Sequence, residues 1–381
     1  MDIQWTEEQE LLRSSIQRFL SDRYGFDVRR KIIATDEGWS REHWHAFAEL
    51  GLCAAPFSEE SGGLGGGSMA TMIIMREFGR KLVVEPFFET VVLAGGLLEA
   101  VGSPAQREEF LSAIMTGQSI WALAWTEEKG RYDLASVATS ARREGDHYVL
   151  NGAKTAVIAA PWADKLIVSA RTSGEKRVRD GVSLFIVDCH SPNLGLRSFK
   201  TIDGRRAAEI ALNGVRVSAD HLLGSEGEGV AVLEACRDRA IAALCAEALG
   251  AMDELNSATL EYARTRRQFG VPLGTFQVLQ HRMVDMFIAL EEATSLTQYL
   301  NLSIATGEPQ ASKVASGAKT KVGYAAKFIA EQAVQLHGGM GMTDELNVGH
   351  YFKRIASINV QFGDPGYHLA RYARQDQSIH A

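Results

Sequence analysis

The chain has 381 residues, of which 46% are apolar and 23% are charged, a composition typical of a globular protein with a large buried core. Its length predicts two or three domains. The formal net charge of -7 at pH 7 argues against nucleic acid as a partner, and the sequence has no apolar run long enough to span a membrane.

The N-terminus and the cysteines predict a cytoplasmic protein. Residues 1–8 are acidic and polar, unlike a signal peptide. The four cysteines lack Cys-x-x-Cys spacing, so they fit a reducing compartment and indicate neither a disulfide framework nor a zinc site. They are Cys53, Cys189, Cys236 and Cys245. We therefore predict no bound metal.

Residues 1–118 are predicted to form a helical domain. Thr6 is a candidate N-cap, because acidic residues follow it and apolar residues then recur at helical spacing. A second helix is predicted to end at Gly51. The glycine-rich segment 59–67 lacks the strand and the later acidic residue of a dinucleotide-binding fingerprint, so we interpret it as a connecting loop. A further helix is predicted over residues 70–81.

From residue 119 to residue 229 the apolar period changes to that of strands. Short runs rich in β-branched and aromatic residues alternate with turn residues. The predicted strands cover residues 119–125, 147–152, 165–171, 182–188, 209–212 and 215–217. The pairs Asn151-Gly152 and Asn213-Gly214 are predicted turns. This spacing predicts an antiparallel barrel or sandwich.

From residue 230 to the end the helical period returns. Helices are predicted over residues 233–266, 276–302, 313–336 and about 367–374. The predicted fold class is α+β with several domains: an N-terminal helical domain (1–118), a central antiparallel β-barrel or sandwich domain (119–229) and a C-terminal four-helix bundle (230–381). This order is itself informative, since long helices on both sides of a small β domain are not a generic arrangement.

The most specific motifs lie in the C-terminal bundle. Residues 262–270 read Tyr-Ala-Arg-Thr-Arg-Arg-Gln-Phe-Gly, Gln277 follows, and residues 335–341 read Gln-Leu-His-Gly-Gly-Met-Gly. Residues 125–127 read Trp-Thr-Glu. Together with the glycine-rich segment 59–67, these motifs resemble the acyl-CoA dehydrogenase family. The resemblance covers essentially the whole chain and includes the order of the three predicted domains.

The resemblance implies FAD as cofactor, an acyl-CoA thioester as substrate, a tetramer, and electron-transfer flavoprotein as the electron acceptor. The family removes an α-proton from the substrate and transfers a β-hydride to flavin. Arg266 is implied to contact the FAD pyrophosphate, a role suited to a guanidinium that is always charged and binds phosphate with two hydrogen bonds. The other implied cofactor contacts are Thr126, Phe269, Gln277, Gln335, Gly338 and Gly339.

Five of these residues also have a plain structural interpretation. Arg266 could be a surface charge, and Gln277 and Gln335 could be solvent-facing glutamines. Gly338 and Gly339 could simply end a helix, although that role is compatible with a close approach of bare backbone to a neighbouring subunit's flavin.

The catalytic base of the family is missing from its two usual positions. The resemblance implies a glutamate either at Gly363 or at Ala240, and the arginine that often follows the second position is Ile241. General-base catalysis is typically worth about 10²–10⁴-fold in rate. Other family residues near the flavin and the base are replaced as well. The replacements are Ala156, Ile158, Pro365 and Tyr367.

Three carboxylates could substitute for the absent glutamate, and each has a structural alternative. Asp364 could instead cap a turn before Pro365. Glu247, which returns to the face of Ala240 after two helical turns, could form a buried ion pair. Asp238 could be exposed beside its arginine neighbours. Asp364 and Glu247 are the weak candidates that we retain for a catalytic role.

Residues 336–364 resemble a subclass of the family, namely subunits of heterotetrameric steroid-side-chain acyl-CoA dehydrogenases and pimeloyl-CoA dehydrogenase small subunits. In that subclass one of two homologous chains supplies the glutamate. The leading hypothesis is therefore an FAD-dependent subunit that dehydrogenates a bulky or dicarboxylic acyl-CoA in fatty acid or steroid catabolism, with a homologous partner supplying the base. Three alternatives stay open: a self-sufficient homotetramer, a flavin monooxygenase or nitroalkane oxidase, and a non-catalytic scaffold.

Overall fold

The computed structural model describes residues 5–377, with side chains through residue 375. The chain forms two compact units, each assembled from discontinuous segments. The helical unit comprises Met1–Lys31, Ser68–Val83 and Ile241–Ala381, and the β unit comprises Ile32–Gly67 and Val84–Ala240. The domain boundaries after residues 118 and 229 stay a prediction.

Twelve α-helices lie in the described part of the chain. They are α1 (Glu7–Arg23), α2 (Phe26–Ala34), α3 (Arg41–Glu49), α4 (Gly67–Lys81), α5 (Gly96–Val101), α6 (Pro104–Gln106), α7 (Ser112–Met115), α8 (Gly229–Thr265), α9 (Gln277–Ala305), α10 (Ala311–His337), α11 (Asn347–Val360) and α12 (Pro365–Gln377). Two π-helical segments, Phe88–Gly95 and Arg107–Leu111, directly precede α5 and α7. None of the helices between residues 5 and 377 is long and apolar enough to cross a membrane.

Local capping fixes the start of α1 as the sequence predicts. Thr6 accepts a hydrogen bond from the Gln9 N–H, and the Gln9 side chain accepts one from the Thr6 N–H. This reciprocal pair satisfies two of the backbone donors that a helix start leaves free. The prediction of Thr6 as N-cap is confirmed.

In the helical unit, α4 and α8 cross with their backbones in direct contact. A Cβ atom added to Gly250 would lie 1.9 Å from the Arg76 carbonyl oxygen, and one added to Gly79 would lie 2.0 Å from the Glu247 carbonyl oxygen. Only glycine permits such an approach, because any side chain would have to occupy the space of the other backbone. In the same unit, α10 packs against α9, α11 and α12.

The β unit is built on one sheet. The strands are β1 (Trp121–Ala124), β2 (Ser140–Glu144), β3 (His147–Ile158), β4 (Lys165–Arg171), β5 (Val182–Asp188), β6 (Leu194–Lys200), β7 (Arg206–Ser218) and β8 (Leu222–Leu223). The order is β6-β7-β3-β2-β4-β5-β8, and β1 pairs with β4. The β1–β4 pair is parallel, whereas most other pairs are antiparallel. The sheet is therefore mostly antiparallel, as predicted, with the parallel pairs β1–β4 and β2–β4 as additions that the sequence did not indicate.

Two predicted turns lie inside strands. Leu150 pairs with Val215 and Asn151 pairs with Asn213, so Gly214 is an extra residue in β7. Its φ of +80° suits glycine, and the register shift is a β-bulge. Asn151 and Asn213 thus face each other beside the bulge at Gly214, while Gly152 pairs with Leu212. The prediction of two turns was wrong because bulges use the same residues as turns.

The predicted α+β class, with N-terminal helices, a central sheet and C-terminal helices, is confirmed. The C-terminal segment holds one helix more than the four predicted, since α11 was not anticipated. The sequence analysis also missed α2, β2 and β6. Strand β6 is exposed along nearly its whole length, so it carries no alternating apolar pattern.

Candidate functional site

An exposed hairpin follows the end of α8. Strands β9 (Arg267–Gln268) and β10 (Val271–Pro272) are antiparallel, and Phe269 and Gly270 form the turn with φ of +53° and +82°. Phe269 is 91% exposed and touches Phe276 edge-on at 6.2 Å between ring centroids. An aromatic side chain that is both exposed and on left-handed backbone is uncommon, and it indicates a surface made to be covered.

Arg266 directly precedes this hairpin, where hydrogen bonds hold its backbone and its side chain is exposed. Its N–H donates to the Tyr262 carbonyl at 2.8 Å, and its carbonyl accepts from the Leu273 N–H at 2.9 Å. Its side chain is exposed, and the described residues offer the guanidinium neither a hydrogen bond nor an ion pair. A guanidinium held in this way is available to bind an anion through two hydrogen bonds.

The end of α10 presents bare backbone to open space. Gly338 has φ of +61° and ψ of -140°, a conformation that favours glycine. A Cβ atom added to Gly338 or to Gly339 would meet no atom within 4 Å. The backbone conformation thus accounts for Gly338, but nothing in the described chain accounts for Gly339. Gln335, one turn earlier, is exposed.

Packing brings these two ends together. The rings of Tyr262 on α8 and His337 on α10 lie 4.4 Å apart, centroid to centroid. Burial lowers the pKa of His337, and its Nδ1 bonds the Ala333 carbonyl at 2.8 Å, so His337 serves the packing of the helix end. Gln277, also exposed, begins α9, whose Arg282 donates to Gln332 on α10 at 3.2 Å. Six of the seven predicted cofactor residues therefore lie at one end of the C-terminal helices.

Thr126, the seventh, belongs to the β unit. Its carbonyl accepts from the Thr155 N–H at 2.9 Å, and its hydroxyl donates to the Thr155 carbonyl. The next residue, Glu127, accepts a hydrogen bond from the wholly buried ammonium of Lys154 at 2.8 Å. The sequence analysis missed this pair. The available signal was a lysine at a position of β3 where the strand alternation predicts a buried side chain.

Both positions at which the resemblance implies the base lie in buried or tightly packed surroundings. Ala240 and its neighbour Ile241 are fully buried. Gly363 has φ of +123°, and a Cβ atom added there would lie 2.5 Å from Nε2 of His368 and 2.6 Å from Cδ1 of Tyr367. His368 is fully buried, and its Nε2 contacts the Phe362 carbonyl at 3.0 Å. The imidazole therefore occupies the space that a side chain at position 363 would enter.

The substitute carboxylates already have structural partners. Asp364 accepts from the Tyr367 N–H at 2.8 Å and so caps the start of α12. Glu247 is 1% exposed and binds Arg354 through both carboxylate oxygens, at 2.6 Å each. Asp238 lies 3.3 Å from its neighbour Arg237. For Asp364 and Glu247 the geometry matches the structural alternative, whereas the Asp238 side chain is only 14% exposed and so differs from the exposed carboxylate that was predicted.

A buried lysine, also missed in the sequence, fixes the segment before Gly363. Lys319 on α10 is 2% exposed, and its ammonium donates to the Ile358 carbonyl in the last turn of α11. Burial lowers the pKa of Lys319 to about 8, and its charged neighbours include Arg354, Asp364 and Glu247. This cluster holds the end of α11 and the start of α12 in one arrangement.

Models of three domains of one family match nearly the whole chain. The N-terminal domain of acyl-CoA dehydrogenase matches residues 6–118, the middle domain matches residues 122–215, and the C-terminal domain matches residues 227–375.

Individual relatives align over almost their full length. The chain is 30% identical to a 3-(aryl)acrylate reductase from Clostridium sporogenes, over 94% of this chain and 96% of the relative. A chain of the ChsE4-ChsE5 complex from Mycobacterium tuberculosis superposes with a TM-score of 0.89 at 26% identity, covering 98% of each chain. A variant of the Tcur3481-Tcur3483 steroid ACAD gives a TM-score of 0.88 at 26% identity, covering 98% of this chain and 99% of the other.

Proposed function

Because the chain belongs to the acyl-CoA dehydrogenase family, we propose that it is an FAD-dependent subunit that takes part in the α,β-dehydrogenation of an acyl-CoA thioester. In this proposal a homologous partner subunit supplies the catalytic glutamate. The substrate is a bulky or dicarboxylic acyl-CoA of fatty acid or steroid catabolism, and electron-transfer flavoprotein receives the electrons.

The exposed end of the C-terminal helices supports FAD as the cofactor. The guanidinium of Arg266 has no partner among the described side chains and suits a pyrophosphate, and Phe269 exposes an aromatic ring that suits a flat ring system. The bare backbone at Gly338 and Gly339 leaves room for close approach. Bound FAD would supply the hydride acceptor of the reaction. The chain's own residues would bind and orient it.

The observation that carries the partner dependence is the closed base position. The His368 ring fills the space beyond Gly363, and the alternative position holds the buried methyl group of Ala240. Asp364 and Glu247 are engaged in a helix cap and a buried ion pair. Moving either carboxylate to a substrate would leave a backbone donor or the buried Arg354 without its partner, which is costly. These contacts argue against the self-sufficient homotetramer.

The similar structures support the kind of assembly. Two of them are chains of complexes named for two components, and one of these is named a steroid ACAD. The likeness favours an unlike partner and a bulky acyl group for this chain. The exposed Arg266, without a partner among the described side chains, and the exposed Phe269 favour a flavin enzyme over a scaffold, because a pure scaffold needs neither.

The direction of catalysis has a second candidate. The relative from Clostridium sporogenes is named a reductase of an acrylate. Reduction of an α,β-unsaturated thioester uses the same bonds in reverse, and it would need the same proton donor or acceptor at the α-carbon. Supplying the reduced flavoprotein with an enoyl-CoA and the oxidised flavoprotein with an acyl-CoA, in separate assays, distinguishes the two directions.

Co-expression tests the proposal. The chain is purified alone and together with each homologous chain encoded by a neighbouring gene. For each sample the flavin spectrum, the mass in solution and the bleaching of flavin by acyl-CoA thioesters are measured. The proposal predicts bleaching and turnover only when a homologue with an intact glutamate is present. Enzymatic turnover by the chain alone would show that it carries its own base.

A further inference from the structure

One carboxylate joins the two ends of the loop that follows Thr126, residues 127–139. Glu127 begins this loop, and its carboxylate accepts from the N–H groups of Ala138 at 2.7 Å and Thr139 at 3.0 Å. It also accepts from the Thr139 hydroxyl at 2.8 Å. Both ends of the segment 127–139 are therefore tied to a single side chain.

A buried lysine ties the same carboxylate to the sheet. The Lys154 ammonium on β3 donates to Glu127 at 2.8 Å and to the Ser169 hydroxyl on β4 at 3.0 Å. The lysine side chain is fully buried and the glutamate side chain is 9% exposed. Burial lowers the pKa of Lys154 to about 8. Burial raises the pKa of Glu127, but the contacts with Lys154 and with the backbone donors outweigh it, and the net direction is downward.

The other side of the loop is held by a second cation. Arg171, the last residue of β4, donates to the carbonyls of Ala135 at 2.8 Å and Val137 at 3.2 Å. The same guanidinium reaches the carbonyl of Val178 at 3.0 Å. Glu127 and Lys154 thus hold the two ends of the loop, and Arg171 holds its outer part.

The network is continuous with the predicted flavin contact. Thr126 bonds Thr155, and the next residue, Glu127, bonds Lys154, which directly precedes Thr155. The two pairs are therefore adjacent. A shift of the Glu127 carboxylate would therefore be transmitted directly to the Thr126–Thr155 pair. Burying two charges is costly, and an apolar pair of similar volume often stabilises a fold as well. A buried ion pair at this place is best explained by the geometry that it imposes.

We propose that Glu127, held by Lys154, is a positioning residue that sets the orientation of Thr126 toward the flavin. This inference rests on the proposed function, because it takes Thr126 as a flavin contact. Glu127 touches neither the substrate nor the reacting atoms in this account. It acts through the backbone and hydroxyl of its neighbour.

The test uses the flavoprotein assembly that binds FAD, either the chain alone or the chain with its homologous partner. Glu127→Gln and Lys154→Met each break the pair from a different side, so one variant can serve if the other does not fold. We expect each to weaken FAD binding about tenfold, the effect of losing one hydrogen bond between a misplaced Thr126 and the flavin. We also expect a shifted absorption band of the bound flavin at temperatures far below unfolding.

Two control variants separate positioning from stability. Glu144→Gln removes a partly exposed carboxylate that pairs with Arg142 at the end of β2 in the same unit. Asp253→Asn breaks partly buried ion pairs with Arg76 and Arg80 in the helical unit. Both controls are expected to keep the wild-type FAD affinity and spectrum. If Glu127→Gln and Lys154→Met lower only the melting temperature, as Asp253→Asn should, the positioning role is refuted. If wild-type protein binds no FAD in any assembly, the proposed function itself fails.

Discussion

The two ends of the C-terminal helices differ in how far the chain satisfies its own groups. At one end, Arg266 has an exposed guanidinium without a partner among the described residues, and Phe269 is 91% exposed. At the other end, His368 fills the space beside Gly363, and Asp364 caps a helix. The first end exposes groups that can bind another molecule, whereas the polar groups of the second end are used in packing and helix capping. This contrast suggests a subunit that retains cofactor binding and has given up the base.

The largest loss of stability is expected from breaking the buried pair of Glu247 and Arg354. Glu247→Ala removes the partner of the buried Arg354, and breaking a buried pair typically costs about 3–5 kcal/mol. Chemical denaturation should show that loss of unfolding free energy. Exchanging the pair for Glu247→Leu with Arg354→Met should recover much of it. A loss below 1 kcal/mol in the single variant would mean that Glu247 is not held structurally and could be free for catalysis.

Introducing a glutamate at position 363 is expected to destabilise the chain without creating activity. Gly363→Glu must place a side chain against His368 on backbone with φ of +123°, so we expect a destabilisation of about 1–3 kcal/mol from overpacking and further strain from the backbone. Activity of the chain alone should stay absent. The double variant Gly363→Glu with His368→Ala tests whether removing the ring admits the base, and turnover by the single variant would contradict the steric account.

Changes at the open end should affect the cofactor and leave the fold intact. Arg266→Ala is expected to weaken FAD binding about tenfold to a hundredfold, because a charge-assisted phosphate contact is lost. Its melting temperature without FAD should stay unchanged, since the side chain is exposed. Arg264→Ala, two residues earlier and also exposed, is the matched control. Equal FAD affinity in both variants would remove Arg266 from the cofactor site.

The smallest effect is a pH dependence at Lys319. Its pKa of about 8 in the folded chain lies below the ordinary lysine pKa of 10.5, so the unfolded chain binds more protons between those pH values. The stability of the wild type relative to Lys319→Met should therefore rise from pH 8 to pH 10. Denaturation of both proteins at several pH values measures the difference. A stability difference that does not change with pH would mean that burial does not lower the pKa of Lys319.

The sequence predicted those parts of the fold in which local pattern and tertiary environment agree. Strands β4 and β5 have the predicted bounds because their apolar runs are buried on both faces. Helix α11 escaped prediction, since its mixed run of polar and apolar residues was interpreted as motif and loop. The bulge at Gly214 could not be separated from a turn, because both need glycine at positive φ.

The candidate site divides in the same way. Motif residues such as Arg266 could be named in advance because their spacing is specific to a family. The role of His368 could not, since it depends on where a ring from α12 lies relative to Gly363. The Glu127–Lys154 pair was equally hidden, because two residues 27 positions apart meet only after the strands pair.

The most direct test of partner dependence is the rate of acyl-CoA turnover with and without the homologous subunit. The chain is assayed alone, in complex with the intact partner, and in complex with a partner whose catalytic glutamate is changed to glutamine. The account predicts turnover only in the second sample. Turnover at an enzymatic rate by the chain alone, or by the complex with the altered partner, would show that the base lies in this chain after all.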